Sequence, residues 1–109
     1  MSNESIKKDI FQGVIPLGTT KTPYKIASTF AVDRYDEAAD NLIKFLQCNI
    51  ALVVDIEKKI IFIKLSNCTL HAGNLANKLF EGGGVETVAI GKVNNIFIKI
   101  SKLLYPVVS

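Results

Sequence analysis

Two hydrophobic periods alternate along the chain, and the switches between them divide it into elements. Apolar, β-branched and aromatic residues run from Ile10 to Leu17 and again from Tyr24 to Val32, separated by Gly18-Thr19-Thr20-Lys21-Thr22-Pro23. A breaker cluster between two β-prone runs fits two strands or one irregular arm. From about residue 34 to 47 the period lengthens. Tyr35, Ala38, Ala39, Leu42, Ile43 and Leu46 recur at spacings of three and four, with Asp36, Asp40 and Lys44 on the other side. That is the apolar stripe of a helix packed on a core. Asp33 stands where an N-cap is expected, and Asp36 and Glu37 place acids in the first turn, where the macrodipole favours them.

Ile50 to Ile56 and Lys59 to Leu65 are short β-branched runs joined across Glu57-Lys58, which predicts a hairpin with both strands largely buried. Thr69 or Asn67 then caps a second helix of about 70 to 80, with Ala72, Leu75, Ala76 and Leu79 as its buried stripe. Glycines at 82, 83 and 84 end it. Glu86 to Val93 and Ile96 to Leu103 read as a further strand pair around Asn94-Asn95, residues that tolerate the positive φ of a tight turn. The expected fold is α/β (α+β), a single small domain with two main helices and a mixed sheet of about four to six strands. The expected order is (β)-α-β-β-α-β-β. Residues 1–9, polar and without an apolar period, read as a flexible N-terminal tail, leaving 10–109 for the domain.

Composition narrows the class. With 109 residues, 49% of them hydrophobic, the chain forms one domain with a core of its own. The net charge of +3 tolerates an anionic partner, but 12 of the 13 basic residues are Lys, spread along the chain without a basic-aromatic stripe. Cys48 and Cys68, with no neighbouring ligand pair, read as buried thiols. The start carries no apolar run of signal-peptide type and no stretch reaches membrane-span length, so a cytoplasmic protein without a membrane partner is expected.

One feature exceeds structural need. Gly82-Gly83-Gly84 follows the second helix directly, where one glycine suffices as a C-cap. Each further glycine costs on the order of 0.5–1 kcal/mol of chain entropy, so the surplus points to close backbone approach by a ligand or another chain. Unobstructed glycine N–H groups can form a concave anion site. The spacing is not a dinucleotide or nucleoside-triphosphate fingerprint.

The run Asn67 to Val93, with its helix Leu70 to Phe80, then Gly82-Gly83-Gly84, then Val88-Ala89-Ile90-Gly91-Lys92-Val93, resembles the DHHA1 domain, the C-terminal half of DHH-type (RecJ-like) phosphoesterases. In that family a helix leads into a Gly-Gly-Gly-His loop and a small-residue strand. The resemblance spans roughly Ala27 to Lys102. Val85 occupies the position of the family's His, and only Lys64 offers charge where the family places an Arg, without the bidentate fork. The Asp-His-His cluster of the metal-binding half has no counterpart here.

The remaining chemical residues read structurally. His71, at the start of the second helix, is a surface or capping histidine. Asp33, Asp36, Glu37 and Asp40 form a solvated helix start. Tyr24, Phe30 and Phe97 sit among apolar neighbours and read as core aromatics rather than stacking platforms. Glu81 and Glu86 bracket the glycines and oppose a phosphate, which Lys78 and Lys92 partly offset. No nucleophile–base pair, paired carboxylates or metal cluster can be drawn, so no catalysis, no metal and no cofactor are expected. The function expected is a non-catalytic module binding single-stranded nucleic acid or a nucleotide phosphate through Gly82, Gly83, Gly84, Lys64, Lys78 and Lys92. The alternatives are an adaptor docking on a protein partner in a replication or repair complex, and the substrate-binding half of a split phosphoesterase. A homodimer through the C-terminal strand fits the exposed sheet edges of so small a domain.

Overall fold

The computed structural model describes residues 10–16 and 23–107; the expected tail over 1–9 lies outside them. Strands β1 (Phe11–Pro16) and β2 (Pro23–Phe30) pair antiparallel, with Phe11 opposite Ser28 and Ile15 opposite Tyr24. Two strands, not an irregular arm, are therefore formed. Helix α1 (Tyr35–Leu46) carries the chain to β3 (Ile50–Asp55), which lies parallel to β2. Strand β4 (Ile60–Leu65) returns antiparallel to β3, completing the expected hairpin. Helix α2 (Ala72–Phe80) then leads into β5 (Gly83–Gly84) and β6 (Val88–Lys92), and β6 pairs antiparallel with β4. Helix α3 (Asn95–Ser101) connects to β7 (Tyr105–Pro106), which pairs with β1 on the far edge. The sheet order is β5-β6-β4-β3-β2-β1-β7.

Among the described residues this is the expected mixed α/β domain, with seven strands instead of four to six and three helices instead of two. Both extra strands are two-residue edge pieces, too short to leave a periodic signal. The third helix overturns the expected hairpin at Asn94-Asn95. Phe97 and Ile100 are buried and Leu104 packs against the same core, a spacing of three and four. Ile96 and Ile98, the alternate positions that imitate a strand, are exposed. The Asn94 side chain accepts the Phe97 N–H at 2.9 Å, so the residue read as a turn is an N-cap.

Every residue of β3 is buried because helices cover both faces of the sheet around it. On one side, Ile26, Ile50, Leu52, Ile61 and Ile63 pack with Phe80 of α2 and Phe97 of α3. On the other, Ala27, Ala51, Val53 and Phe62 pack with Ala39 and Leu42 of α1. Strand alternation sends successive side chains to opposite cores, which is why these strands read as continuous apolar runs.

Two expected caps differ. Arg34, in the left-handed region at φ 51°, occupies the N-cap of α1 with no side-chain bond, displacing Asp33. His71, not Thr69 or Asn67, caps α2, its Nδ1 accepting the Asn74 N–H at 3.1 Å. Asn67 has left-handed φ, 53°, and lies too early in the chain to reach the first turn.

Candidate functional site

The glycine-rich segment is the edge of the sheet rather than a loose turn. Gly82 donates its N–H to the Ala76 carbonyl at 3.0 Å, closing the end of α2. Ala72 and Gly73, at the other end of α2, donate to the carbonyls of Glu86 and Val85, both at 2.8 Å. The helix is thus tied at both ends to the segment that follows it.

Most of the glycines are required by this closeness. A Cβ on Gly73 would overlap the Gly84 backbone, one on Gly82 the Ile90 carbonyl, and one on Gly84 the backbone of Ala89. A Cβ on Gly91 would meet Phe80. Gly83 differs, because nothing lies within 4 Å of where its Cβ would stand. Its neighbours clamp the edge while Gly83 itself faces open space. The backbone approach inferred for the glycines is therefore intramolecular at Gly82 and Gly84, and only Gly83 leaves room for a ligand.

The three lysines do not converge. Lys64 points to the α1 side, where it pairs with Asp36 at 2.8 Å and Asp40 at 2.6 Å. The Asp36 and Asp40 carboxylates hold its ammonium above the ordinary lysine range. Lys92 is exposed on β6, alternating with Gly91 against Phe80, and so lies on the α1 side as well. Lys92 sits opposite Ile60 and Lys64 opposite Val88, at opposite ends of the β4–β6 ladder. Lys78 is on α2, across the sheet from both. Val85 is 64% exposed and Ile90 46%, which makes the glycine edge apolar as well as side-chain-poor.

A groove of about 410 Å³ runs along the outer side of α2. It is lined by the half-buried Leu70, Leu75 and Leu79 and by the exposed Thr69, His71, Asn74 and Lys78. Sequence reasoning missed it, although Leu75 and Leu79 were visible as an apolar stripe: they are only half-buried, and the groove is what the stripe leaves uncovered.

Other chemical groups are internally occupied. The Tyr35 hydroxyl donates to Asp55 Oδ2, which pushes the phenol up to about 12, while the same bond and the Lys58 N–H hold the Asp55 carboxyl below the usual range. Cys48 is buried, and burial pushes its thiol up to about 11; Cys68 is half-buried and both are free. Tyr24 and Phe97 are buried, but Phe30 is 45% exposed and packs edge-on to Phe11. Among the described residues no group of three His, Cys, Asp or Glu side chains could hold a metal ion, and no helix is long and apolar enough to cross a membrane.

No protein-family model matches the sequence, and no curated protein matches it. A solved structure of an uncharacterized protein from Helicobacter pylori G27 is similar, with a TM-score of 0.58 and 15% identity over 83% of this chain. The chain spans 27% of the length of that Helicobacter chain, and at this identity the likeness is one of fold.

Proposed function

We propose that the chain is a non-catalytic, cytoplasmic binding module of DHHA1 type that holds nucleic-acid or nucleotide phosphate at the glycine edge. The observation that carries this reading is the contrast among the three glycines. Gly82 and Gly84 are fixed against backbone, and Gly83 between them is open to approach. Lys92 is exposed one strand away, whereas Lys78 lies across the sheet on α2. A clamped, side-chain-free edge beside an unpaired cation needs little reorganisation to accept a phosphate oxygen. Lys64 contributes less, because two carboxylates already neutralise it.

The test is fluorescence anisotropy of labelled single- and double-stranded oligonucleotides at low and moderate salt. Micromolar affinity that falls as salt rises is expected, lost on Gly83→Trp and weakened by Lys92→Glu. Absence of binding at low salt overturns the reading.

Val85 and Ile90, exposed at the same edge, favour a second reading in which this surface docks on a protein partner. A third reading is the substrate-binding half of a phosphoesterase whose metal half lies elsewhere. Activity that requires such a half together with Mn²⁺ or Mg²⁺ would distinguish that case from simple docking.

A further inference from the structure

The first N–H groups of α2 have no partners within the helix and are met from outside it. Ala72 donates to the Glu86 carbonyl and Gly73 to the Val85 carbonyl, both at 2.8 Å, while Asn74 donates to Nδ1 of His71 at 3.1 Å. The usual N-caps are Ser, Thr, Asp and Asn, whose oxygens accept throughout the neutral range. An imidazole nitrogen accepts only while it lacks a proton, and imidazole is the side chain whose charge changes between about pH 5 and 8. A proton and the Asn74 N–H therefore compete for one lone pair.

The first turn of α2 holds no acidic residue, and a cation at its cap opposes the positive end of the helix. Of the elements packed against α2, β5 carries no titratable side chain, and β4 and β6 send Lys64 and Lys92 to the opposite face of the sheet. Helix α3, whose Asn94 cap bonds the Leu79 end of α2, carries Lys99 and Lys102, both exposed. On α2 itself Lys78 is exposed in the last turn and Glu81 is the C-cap, at the far end from His71. The connection from β4 contributes the half-buried Cys68. Glu86, exposed, is the one acidic residue on the segments bonded to the start of α2.

We infer that His71 is a proton-operated latch, whose protonation favours release of the first turn of α2 from the Val85 and Glu86 carbonyls and so loosens the glycine edge in mild acid. Gly73, in that turn, lies against the Gly84 backbone, which couples the two segments. Two further bonds do not involve α2 and stay in place, Val85 N–H to the Val88 carbonyl and Leu65 N–H to the Thr87 carbonyl. The opening is therefore local, with β6 still held on β4. The contribution of the cap is complete above the imidazole range and is lost as pH falls through it. The latch is independent of what the glycine edge binds.

The test is amide hydrogen exchange of the whole chain at about pH 8, 6.5 and 5.5, each rate divided by the intrinsic rate at that pH, with the His71 ring titrated by NMR alongside. Protection of the Ala72, Gly73 and Asn74 amides is expected to fall about fivefold between the highest and lowest pH, the size of a lost cap at a helix start, and to follow the ring titration. The Leu65 amide and those of β3 should not change. His71→Asn keeps an acceptor that does not titrate, so its protection should stay within about twofold of the wild type at the highest pH across the whole range. Glu86→Gln should keep the fall, because the proton goes to the ring. Protection independent of pH in the wild type, an equal fall in His71→Asn, loss of the fall in Glu86→Gln, or a fall of the same size at Leu65 and β3 would each overturn the inference. So would an Asn74 amide resonance that stays fixed while the ring titrates, a readout that needs no variant.

Discussion

The hydroxyl of Tyr35, the first residue of α1, donates to Oδ2 of Asp55, the last residue of β3. Asp55 is 1% exposed, and its other oxygen accepts the Lys58 N–H at 3.0 Å. The Tyr35 ring stacks on Phe62, with centroids 6.1 Å apart. A buried carboxylate is therefore fully satisfied, and the bond ties the start of the crossover helix to the strand that follows it.

This pair gives stability a defined pH dependence. The folded Asp55 carboxyl is held below its unfolded value, so its contribution is complete above about pH 5 and is lost as pH falls through the folded value. The Tyr35 phenol is raised from 10.0 to about 12, so its contribution is complete below pH 10 and is lost as pH rises towards 12. Urea denaturation of the wild type should therefore give a plateau with losses on both sides. Tyr35→Phe should lower the plateau, move the acid loss to higher pH and abolish the alkaline loss attributable to this phenol. An unchanged acid limb in the variant would count against the pair.

The glycines should separate sharply by position. Gly83→Ala meets open space and is expected to be neutral or to stabilise by about 0.4–1 kcal/mol through the unfolded state. Gly73→Ala, Gly82→Ala and Gly84→Ala push a methyl group into backbone and should each cost roughly 1–3 kcal/mol. Equilibrium denaturation of the four variants checks this, and equal costs at positions 82, 83 and 84 would contradict the packing described.

His71 provides a third check. Its ring nitrogen is the cap of α2, so His71→Ala should cost about 1 kcal/mol, and His71→Asn or His71→Ser should recover most of that loss. Denaturation midpoints at neutral pH measure it. A neutral His71→Ala would show that the backbone bonds to Val85 and Glu86 suffice to start the helix.

What could be read from the sequence depended on whether local pattern and tertiary environment agreed. They agree in the β3–β4 hairpin, where every strand side chain but Asp55 and Lys64 is apolar because both faces are covered, and in α1, whose stripe faces a single core. They disagree around residue 96, where Ile96, Ile98 and Ile100 alternate like a strand while Phe97, Ile100 and Leu104 follow a helix. Only the long-range contact of Phe80 with Phe97, centroids 6.3 Å apart, and the Asn94 cap favour the helix. The glycine run was legible as a place of close approach, but not what approaches it. The partners are Ala76, Ile90, Ala89 and Gly73, brought there by the packing of α2 on the sheet. Likewise Lys64 looked free, since no local pattern announces that Asp36 and Asp40, well before it in the chain, will face it.

Asn94 tests that disagreement directly, because its two side-chain atoms serve different helices. Its Oδ1 caps α3 by accepting from Phe97, and its Nδ2 donates to the Leu79 carbonyl at the end of α2, at 2.8 Å. Asn94→Ala removes both bonds and should cost about 1–3 kcal/mol. Asn94→Asp keeps the cap but places a carboxylate against the Leu79 carbonyl at a helix C-terminus, so it should restore little of the loss. Asn95, exposed and inside the first turn, should tolerate Ala within about 0.5 kcal/mol. In a hairpin the two asparagines would be near-equivalent turn residues, and Asn95→Gly would be tolerated or stabilising. In a helix the same glycine costs up to about 1 kcal/mol. Denaturation of Asn94→Ala, Asn94→Asp and Asn95→Gly therefore decides between the two conformations, and a stabilising Asn95→Gly with a neutral Asn94→Asp would return the segment to a strand pair.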